Sequence, residues 1–272
     1  MAITSQRLCT DFGALISQEL PVRMPTISAV VLTQNEARHI TRCLAGLSWA
    51  DKRIVIDGGS DDSTIGLARR AGADILERPF DQFSRQRQHA VAQTSTDWIL
   101  FVDADERVSA GLAAEICATI ARIGPDTPAG YWIPRRNYFW GVWVRGGGWQ
   151  PDAQLRLFRR QSANYDPARP VHELVQIDGK TERLVCALVH YNYETVGQFL
   201  RKQRRYAGIE AAARWQAGER GRMKRLISAP IHEFIRRYVH LAGYQDGATG
   251  LLLAALAAWS AADTQRRLFL MR

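Results

Sequence analysis

Asp103 and Asp105 stand one residue apart at the end of an apolar run, Trp98-Ile-Leu-Phe-Val102, and Glu106 follows directly. Two carboxylates at that spacing on a strand end can share a hard divalent cation, with substrate phosphates filling the remaining octahedral positions. Alone the pair is a weak signal, because Asp-x-Asp is common in exposed turns. Its setting strengthens it. Five apolar residues bounded by Asp97 and Asp103 have the length and flanks of a strand buried on both faces, as in a parallel sheet. Open α/β folds bind their ligands at the carboxyl ends of such strands.

The chain upstream supplies the elements that would position those acids. Ile27-Ser-Ala-Val-Val-Leu32 reads as a first buried strand ending at Thr33-Gln-Asn-Glu36, with Asn35 as the N-cap of a helix through Ile40, Leu44 and Leu47. Arg53-Ile-Val-Ile-Asp57 is a second strand ending in a carboxylate. Gly58-Gly59 then turns the chain, and Ser60, Asp61 and Asp62 cap a helix that runs to Gly72. Ala73–Glu77 forms a third strand, and Phe83–Gln93 a helix with Phe83, Ala90 and Val91 inward. Strand–helix alternation of this kind implies βαβ units in a doubly wound parallel sheet. Glu36, Asp57, Asp103 and Asp105 then converge on one edge. Four acids there repel one another unless cations or hydrogen-bond donors meet them. Neither a Walker lysine motif nor GxGxxG is present, which argues against an NTPase or a dinucleotide-dependent oxidoreductase.

Val30-Val-Leu-Thr-Gln-Asn-Glu36, Ile54-Val-Ile-Asp-Gly-Gly-Ser-Asp-Asp-Ser-Thr64 and Phe101-Val-Asp-Ala-Asp-Glu106 together resemble family 2 glycosyltransferases of the GT-A fold. Gln154-Leu-Arg-Leu-Phe-Arg159, Val171-His-Glu173 and Leu188-Val-His-Tyr191 are similar to bacterial lipopolysaccharide inner-core glucosyltransferases of the WaaE/KdtX kind. The resemblance implies an inverting enzyme that moves a sugar, glucose in that kind, from a UDP-sugar to a lipid-anchored saccharide such as inner-core heptose. A protein or another polysaccharide is the alternative acceptor. It implies that Asp57 recognises uracil or ribose, that Thr33 and Glu36 line the same pocket, and that Arg87 contacts the nucleotide. The family usually has Asn where this chain has Gln88. Asp103 would lie near ribose and metal, and Asp105 would ligate Mg²⁺ or Mn²⁺ on the diphosphate. Such an ion neutralises charge on the leaving group as the sugar–oxygen bond breaks.

Inverting transfer also needs a base for the acceptor hydroxyl. Glu173 is favoured, since its His-Glu pair recurs in the family, and Asp152 is the alternative. A salt bridge to one of the many arginines is the purely structural role open to Glu173. His172 and His190 are each either a further metal ligand or simply hydrogen-bonded. Arg156 and Arg159 are candidates for the diphosphate. Three residues apart on a strand they face opposite sides, so at most one reaches it. Tyr131, Trp132, Tyr138, Trp140, Trp143 and Trp149 suit sugar rings and ordinary cores equally. Gly146-Gly-Gly148 is a lid or a plain connection.

The chain accordingly divides into an N-terminal extension (1–25), a nucleotide-sugar half (26–129), an acceptor half (130–195) and a basic helical extension (196–272). Residues 1–25 contain Asp11, Glu19 and two prolines and do not read as a signal peptide. Four scattered cysteines without a CxxC pair read as reduced thiols. The net charge of +9 is concentrated in the last region, where 196–272 hold 14 Lys and Arg against 5 Asp and Glu. That asymmetry points to a polyanionic partner or to a solvated helical surface. Gly247–Ala262 is an apolar run of 16 residues, short of the ~20 a spanning helix needs. It reads as an in-plane membrane helix, a packed core helix or a spanning segment. The expectation is a peripheral protein on the anionic, cytoplasmic face of the inner membrane. Two rivals are weaker. A sugar nucleotidyltransferase needs a Gly-rich basic loop after the first strand, where Thr33-Gln-Asn-Glu36 offers neither glycine nor lysine. A nucleic-acid module leaves the strand-end acids without a purpose, and no nucleic-acid partner is expected.

Overall fold

The computed structural model describes residues 23–122, 124, 127–165 and 175–271. The first strand, β1 (Ile27–Thr33), alternates its side chains between two cores. Ile27, Ala29 and Val31 enter one core, while Val30 enters the other. β2 (Lys52–Asp57), β3 (Asp74–Glu77) and β4 (Trp98–Asp103) join it in parallel, in the order β3-β2-β1-β4. Helices α1 (Ile40–Ala45), α2 (Thr64–Arg70) and α4 (Ala110–Ile120) cover the first face, and α3 (Phe83–Gln93) covers the second through Ala90 and Val91. The side chain of Phe83 lies outside the described residues. β4 is sealed on both faces from Trp98 to Val102, each large side chain contributing about 1.5–3 kcal/mol by burial. This is the doubly wound arrangement the alternation predicts.

Two local expectations are corrected. Asn35 does not cap a helix. It sits at φ 58°, a left-handed conformation that Asn tolerates, and α1 starts only at Ile40. Nor does α2 begin at Ser60. It begins at Thr64, whose N–H is taken by the Asp62 carboxylate at 2.8 Å.

Beyond β4 the sheet changes character. The short β5 (Glu106–Arg107) follows the Asp105 turn, and β6 (Gly130–Phe139) is the longest strand. β7 (Val142–Trp143) and β8 (Ala153–Arg159) pair with it antiparallel. A two-stranded ribbon, β9 (Ala163–Asn164) with β10 (Gln176–Ile177), lies apart. β11 (Thr181–Arg183) and β12 (Leu188–Tyr193) run parallel to β6. The order continues β4-β8-β6-β12-β5, so β8 stitches the acceptor side to β4, and β12 returns the chain to β5.

The C-terminal region is a helical bundle. α5 (Val196–Gln216) opens with a capping box between Thr195 and Gln198. α6 (Met223–Ile235) continues as a π-helical turn, and a 3₁₀ turn leads into α7 (Gly247–Leu270). α7 packs on α5 and α6, burying Gly250, Leu253, Ala254 and Leu268. Among the described residues no helix is long and apolar enough to cross a membrane, so the spanning reading of 247–262 falls. Leu253 and Ala254 of the run are buried, while Leu251 and Leu252 stay exposed. Phe199 and Leu253 meet Phe139, Val144 and Tyr193 in a third core, which docks the bundle on the acceptor side. Several of the aromatic residues of 131–149 are therefore core: Tyr131 and Phe139 are fully buried, and the Trp149 ring packs tilted against Phe139 with centroids 4.6 Å apart.

The Gly146–Gly148 segment is anchored, not a free lid. The Asp246 carboxylate accepts from the N–H of Arg145 (2.9 Å) and of Gly146 (2.7 Å). Gly147 N donates to Leu241 O at 2.7 Å, and Arg237 donates to Gly147 O at 2.9 Å. A Cβ on Gly146 would collide with the Ala242 carbonyl, so glycine is required there for close backbone approach. Cys43, Cys117 and Cys186 are free thiols.

Candidate active site

Register alone brings three predicted residues to one level. Thr33 pairs with Asp57, and Leu32 pairs with Asp103, at the carboxyl edge of β1, β2 and β4. The Thr33 hydroxyl is buried and has no hydrogen-bond partner among the described residues. Asp57 is buried too, but its carboxylate is fully engaged by its own loop. It accepts from Gly59 N (2.9 Å), Ser60 N (2.7 Å) and Ser60 Oγ (2.5 Å). Gly59, at φ +96°, gives that turn its shape. The loops after β1 and β2 are laced together: Asn35 Oδ1 accepts from Asp61 N at 2.9 Å, and Glu36 N donates to Thr64 Oγ1 at 2.9 Å. Glu36 is half-buried. Burial, then the like charges of Asp105, Asp62 and Glu194, push its carboxyl up to about 7.

A buried ion cluster lies beside this edge. β8 runs antiparallel to β4, with Leu100 opposite Leu157 and Trp98 opposite Arg159. Arg156 therefore points toward the carboxyl edge and Arg159 sits at the amino edge, its guanidinium over the Trp98 ring at 5.3 Å. Arg159 is thus not brought to the site. Arg156 clasps Asp103 with both terminal nitrogens and lies 3.5 Å from Glu106 Oε1. Glu106 also accepts from Asp103 N (2.9 Å) and from Arg135 (3.3 Å). Arg87, from α3, approaches Asp103 at 3.8 Å. Burial works to raise the Asp103 carboxyl, yet Arg156 and Arg87 hold it well below the usual carboxylate range. Glu106 goes the other way, raised by burial and by Asp103. Asp103 is consequently the partner of an arginine fork, with a third of its side chain still exposed.

Asp105 has a different partner. It sits in the turn between β4 and β5, partly exposed, its main-chain oxygen accepting from Tyr191 N at 3.0 Å. Because β12 pairs with β5 with His190 opposite Glu106, His190 Nε2 comes within 3.5 Å of Asp105 Oδ2. The other ring nitrogen, Nδ1, is 2.6 Å from Asn137 Oδ1. The Asn137 amide nitrogen donates to Trp149 O and to Asp152 Oδ2, so its oxygen faces the ring and Nδ1 carries the hydrogen there. That leaves Nε2 aimed at Asp105. Asp152 accepts from Arg135 (2.9 and 2.8 Å), Asn137 (2.9 Å) and Gln154 (3.0 Å). Against burial, these donors keep its carboxyl low, which suits a brace better than a base. Glu173 and His172 lie outside the described residues.

Residues 28–167, more than half of the chain, match the model of glycosyl transferase family 2. The chain belongs to glycosyltransferase family 2. It is 27% identical over 245 residues to the lipopolysaccharide core biosynthesis glycosyltransferase LpsC of Rhizobium meliloti, covering 85% of this chain and 90% of that one. A glycosyltransferase of Rickettsia bellii is 29% identical over 231 residues, 78% of this chain and 77% of the relative. Looser likeness extends to glucosyl-3-phosphoglycerate synthase from Mycobacterium tuberculosis, solved with Mn²⁺, UDP and glucosyl-3-phosphoglycerate. That structure is 19% identical, with a TM-score of 0.42 over 62% of this chain and 72% of that one.

In this family 2 glycosyltransferase the strand-end acids have different partners. Among the described residues no group of three or more His, Cys, Asp or Glu is arranged to hold a metal. An ion held by Asp105 and His190 and completed by substrate oxygens fits these residues, since Mg²⁺-type sites commonly use one or two protein ligands plus phosphates. Arg135 and Asn137 went unremarked in the sequence. Their signal was there: they alternate on one face of β6 between the buried Ile133 and Phe139.

Proposed function

We propose that this glycosyltransferase catalyses inverting transfer of a hexose, glucose on the sequence resemblance, from a UDP-sugar to a lipid-anchored saccharide of the lipopolysaccharide inner-core type. The observation that carries the reading is the Asp105 carboxylate, held at the carboxyl edge with His190 Nε2 3.5 Å away and beside the Thr33–Asp57 level of β1 and β2. Asp105 and His190 would hold Mg²⁺ or Mn²⁺, and the bound ion supplies charge neutralisation to the departing diphosphate. The Asn137 oxygen fixes the ring so that Nε2 keeps its lone pair for that purpose. Thr33 and Glu36 line the nucleotide side, with Asp57 shaping the loop between them and the base. Arg87 and Arg156, both meeting Asp103, bring positive charge to the diphosphate edge. Glu173 takes the proton from the acceptor hydroxyl as it attacks the anomeric carbon, while Asp152 steadies Arg135 and Asn137. The length over which LpsC matches supports a core saccharide as acceptor. The basic excess in 196–272 supports work at the anionic inner face of the inner membrane.

The test is calorimetric titration with UDP and UDP-sugars, with and without Mn²⁺, followed by product analysis with lipid-linked core saccharide. Tight metal-dependent UDP binding and a transferred hexose of inverted configuration are expected. Absence of nucleotide binding under both conditions, or a product of retained configuration, would overturn the reading.

A further inference from the structure

A helix on a water-soluble surface turns its apolar side inward and its charges outward. α6 does the reverse. Met223, Ile227, Ile231 and Ile235, with Val239 in the π-turn beyond, recur every fourth residue and are between 42% and 69% exposed. None of the residues of α6 is fully buried. Its inner side carries Glu233, bonded to Arg236 at 2.8 Å and to Arg237 at 2.6 Å. These three residues line a polar cavity of about 410 Å³ shared with α5 and α7. The helix therefore holds Glu233 inward and an apolar stripe outward.

We infer that this stripe is the surface by which the protein docks on an anionic lipid leaflet, a face distinct from the apolar run 247–262. The inference rests on the membrane reading above and names the contact. Charge selects the occupant. Arg222, Lys224 and Arg225 are exposed at the start of α6. The acids nearby are already paired: Glu233 inward, Glu219 with Arg225, and Asp246 with the N–H groups of Arg145 and Gly146. Arg225 is thereby neutralised, but an outward face of large apolar side chains flanked by the exposed cations Arg222 and Lys224 is the pattern of a helix lying in a headgroup interface. The stripe from 223 to 239 extends roughly 24 Å at helical rise, enough to lie flat along that interface. α6 also reaches the acceptor side through Arg237 and Gly147. A docked α6 would fix how that side faces the leaflet in which a lipid-anchored saccharide is confined.

The experiment compares full-length wild type with Ile227→Asp/Ile231→Asp in cosedimentation with two kinds of vesicle, phosphatidylglycerol mixed with phosphatidylcholine and phosphatidylcholine alone. Both side chains are solvent-exposed, so the variant keeps its fold, checked by circular dichroism and by unchanged hydrolysis of UDP-sugar in water. Wild type should pellet with the anionic vesicles, less so in high salt, and the variant's partition should fall by at least about tenfold. If wild type pellets and the variant pellets equally, α6 is not the contact, although the membrane reading stands. If wild type pellets with neither vesicle, the membrane reading itself fails. Sedimentation velocity closes the remaining route: a wild-type dimer that the double substitution dissociates, without vesicle binding, would assign the stripe to a second copy of the chain.

Discussion

Replacing Arg156 by Met should expose how strongly the strand-end acids depend on a single guanidinium. Arg156 is 5% exposed and stands between Asp103 and Glu106. Met fills comparable volume, so the dominant loss is charge. Removing one partner of a buried ion pair leaves the other uncompensated, at about 3–5 kcal/mol. Arg87 and Arg135 remain to share the acids, which places the expectation at the lower end, about 3 kcal/mol. For a chain of this size that corresponds to a fall in Tm of roughly 6–12 °C. The pH dependence sharpens the test. In wild type the Asp103 carboxyl is held below its unfolded value, so its contribution is present above the ordinary carboxylate range and is lost only in strong acid. Without Arg156 the buried carboxyl beside Glu106 moves above its unfolded value, and the variant loses stability as pH rises. The gap in Tm between the two proteins should therefore be wider near about pH 8 than near about pH 5. Scanning calorimetry at both values decides it. A variant melting within a degree or two of wild type at both would refute the claim that Arg156 holds the cluster together.

Four further outcomes are expected. Asp105→Ala should keep its fold, because that side chain's described contact is His190 at 3.5 Å, but should lose transfer and the metal-dependent part of UDP binding by calorimetry. Glu36, raised to about 7, holds its proton more tightly folded than unfolded, so wild-type stability should fall as pH rises from the ordinary glutamate range through 7. Glu36→Gln should flatten that slope in thermal melts taken without metal. Gly146→Ala forces the Ala242 carbonyl away and should cost about 1–3 kcal/mol, read as a lowered urea midpoint with increased proteolysis between α6 and the acceptor side. Glu173→Gln should lower kcat far more than it weakens donor binding, whereas Asp152→Asn should chiefly lower stability; the opposite pairing in steady-state kinetics and melts would exchange their roles.

The parts legible in the sequence are those whose determinants are local. Trp98–Val102 is apolar throughout because both faces of β4 are covered, and the acid following such a strand has to emerge at its carboxyl edge. Direction and partnership were not local. Arg156 and Arg159 look equivalent in Gln154–Arg159 until β8 is known to run against β4, which sends one to each end of the sheet. Gly146-Gly-Gly148 reads as loose until Asp246, a hundred residues later, is found holding its N–H groups. The run 247–262 dominates any reading by hydropathy, yet α7 buries only part of it, Gly250, Leu253 and Ala254. The face of α6 that stays outside is interrupted by polar residues in sequence and becomes continuous only on the helix.

The pairing of β12 with β5, and of Arg156 with Asp103, has a consequence for how such enzymes can be recombined. Asp103, Asp105 and Glu106 precede residue 130, while most of the groups that neutralise and orient them, Arg135, Arg156 and His190, follow it; Arg87 alone among those described above lies on the same side. A chimera spliced near residue 130 from two family members inherits each half of this cluster from a different parent. Unless those six positions match, Asp103 and Glu106 lose their guanidinium partners from beyond the seam and the Asp105 turn meets no imidazole, so their energies cannot be treated as additive. Donor and acceptor specificity are therefore exchangeable between relatives only along with the ions at the seam, and substitutions there should travel in sets.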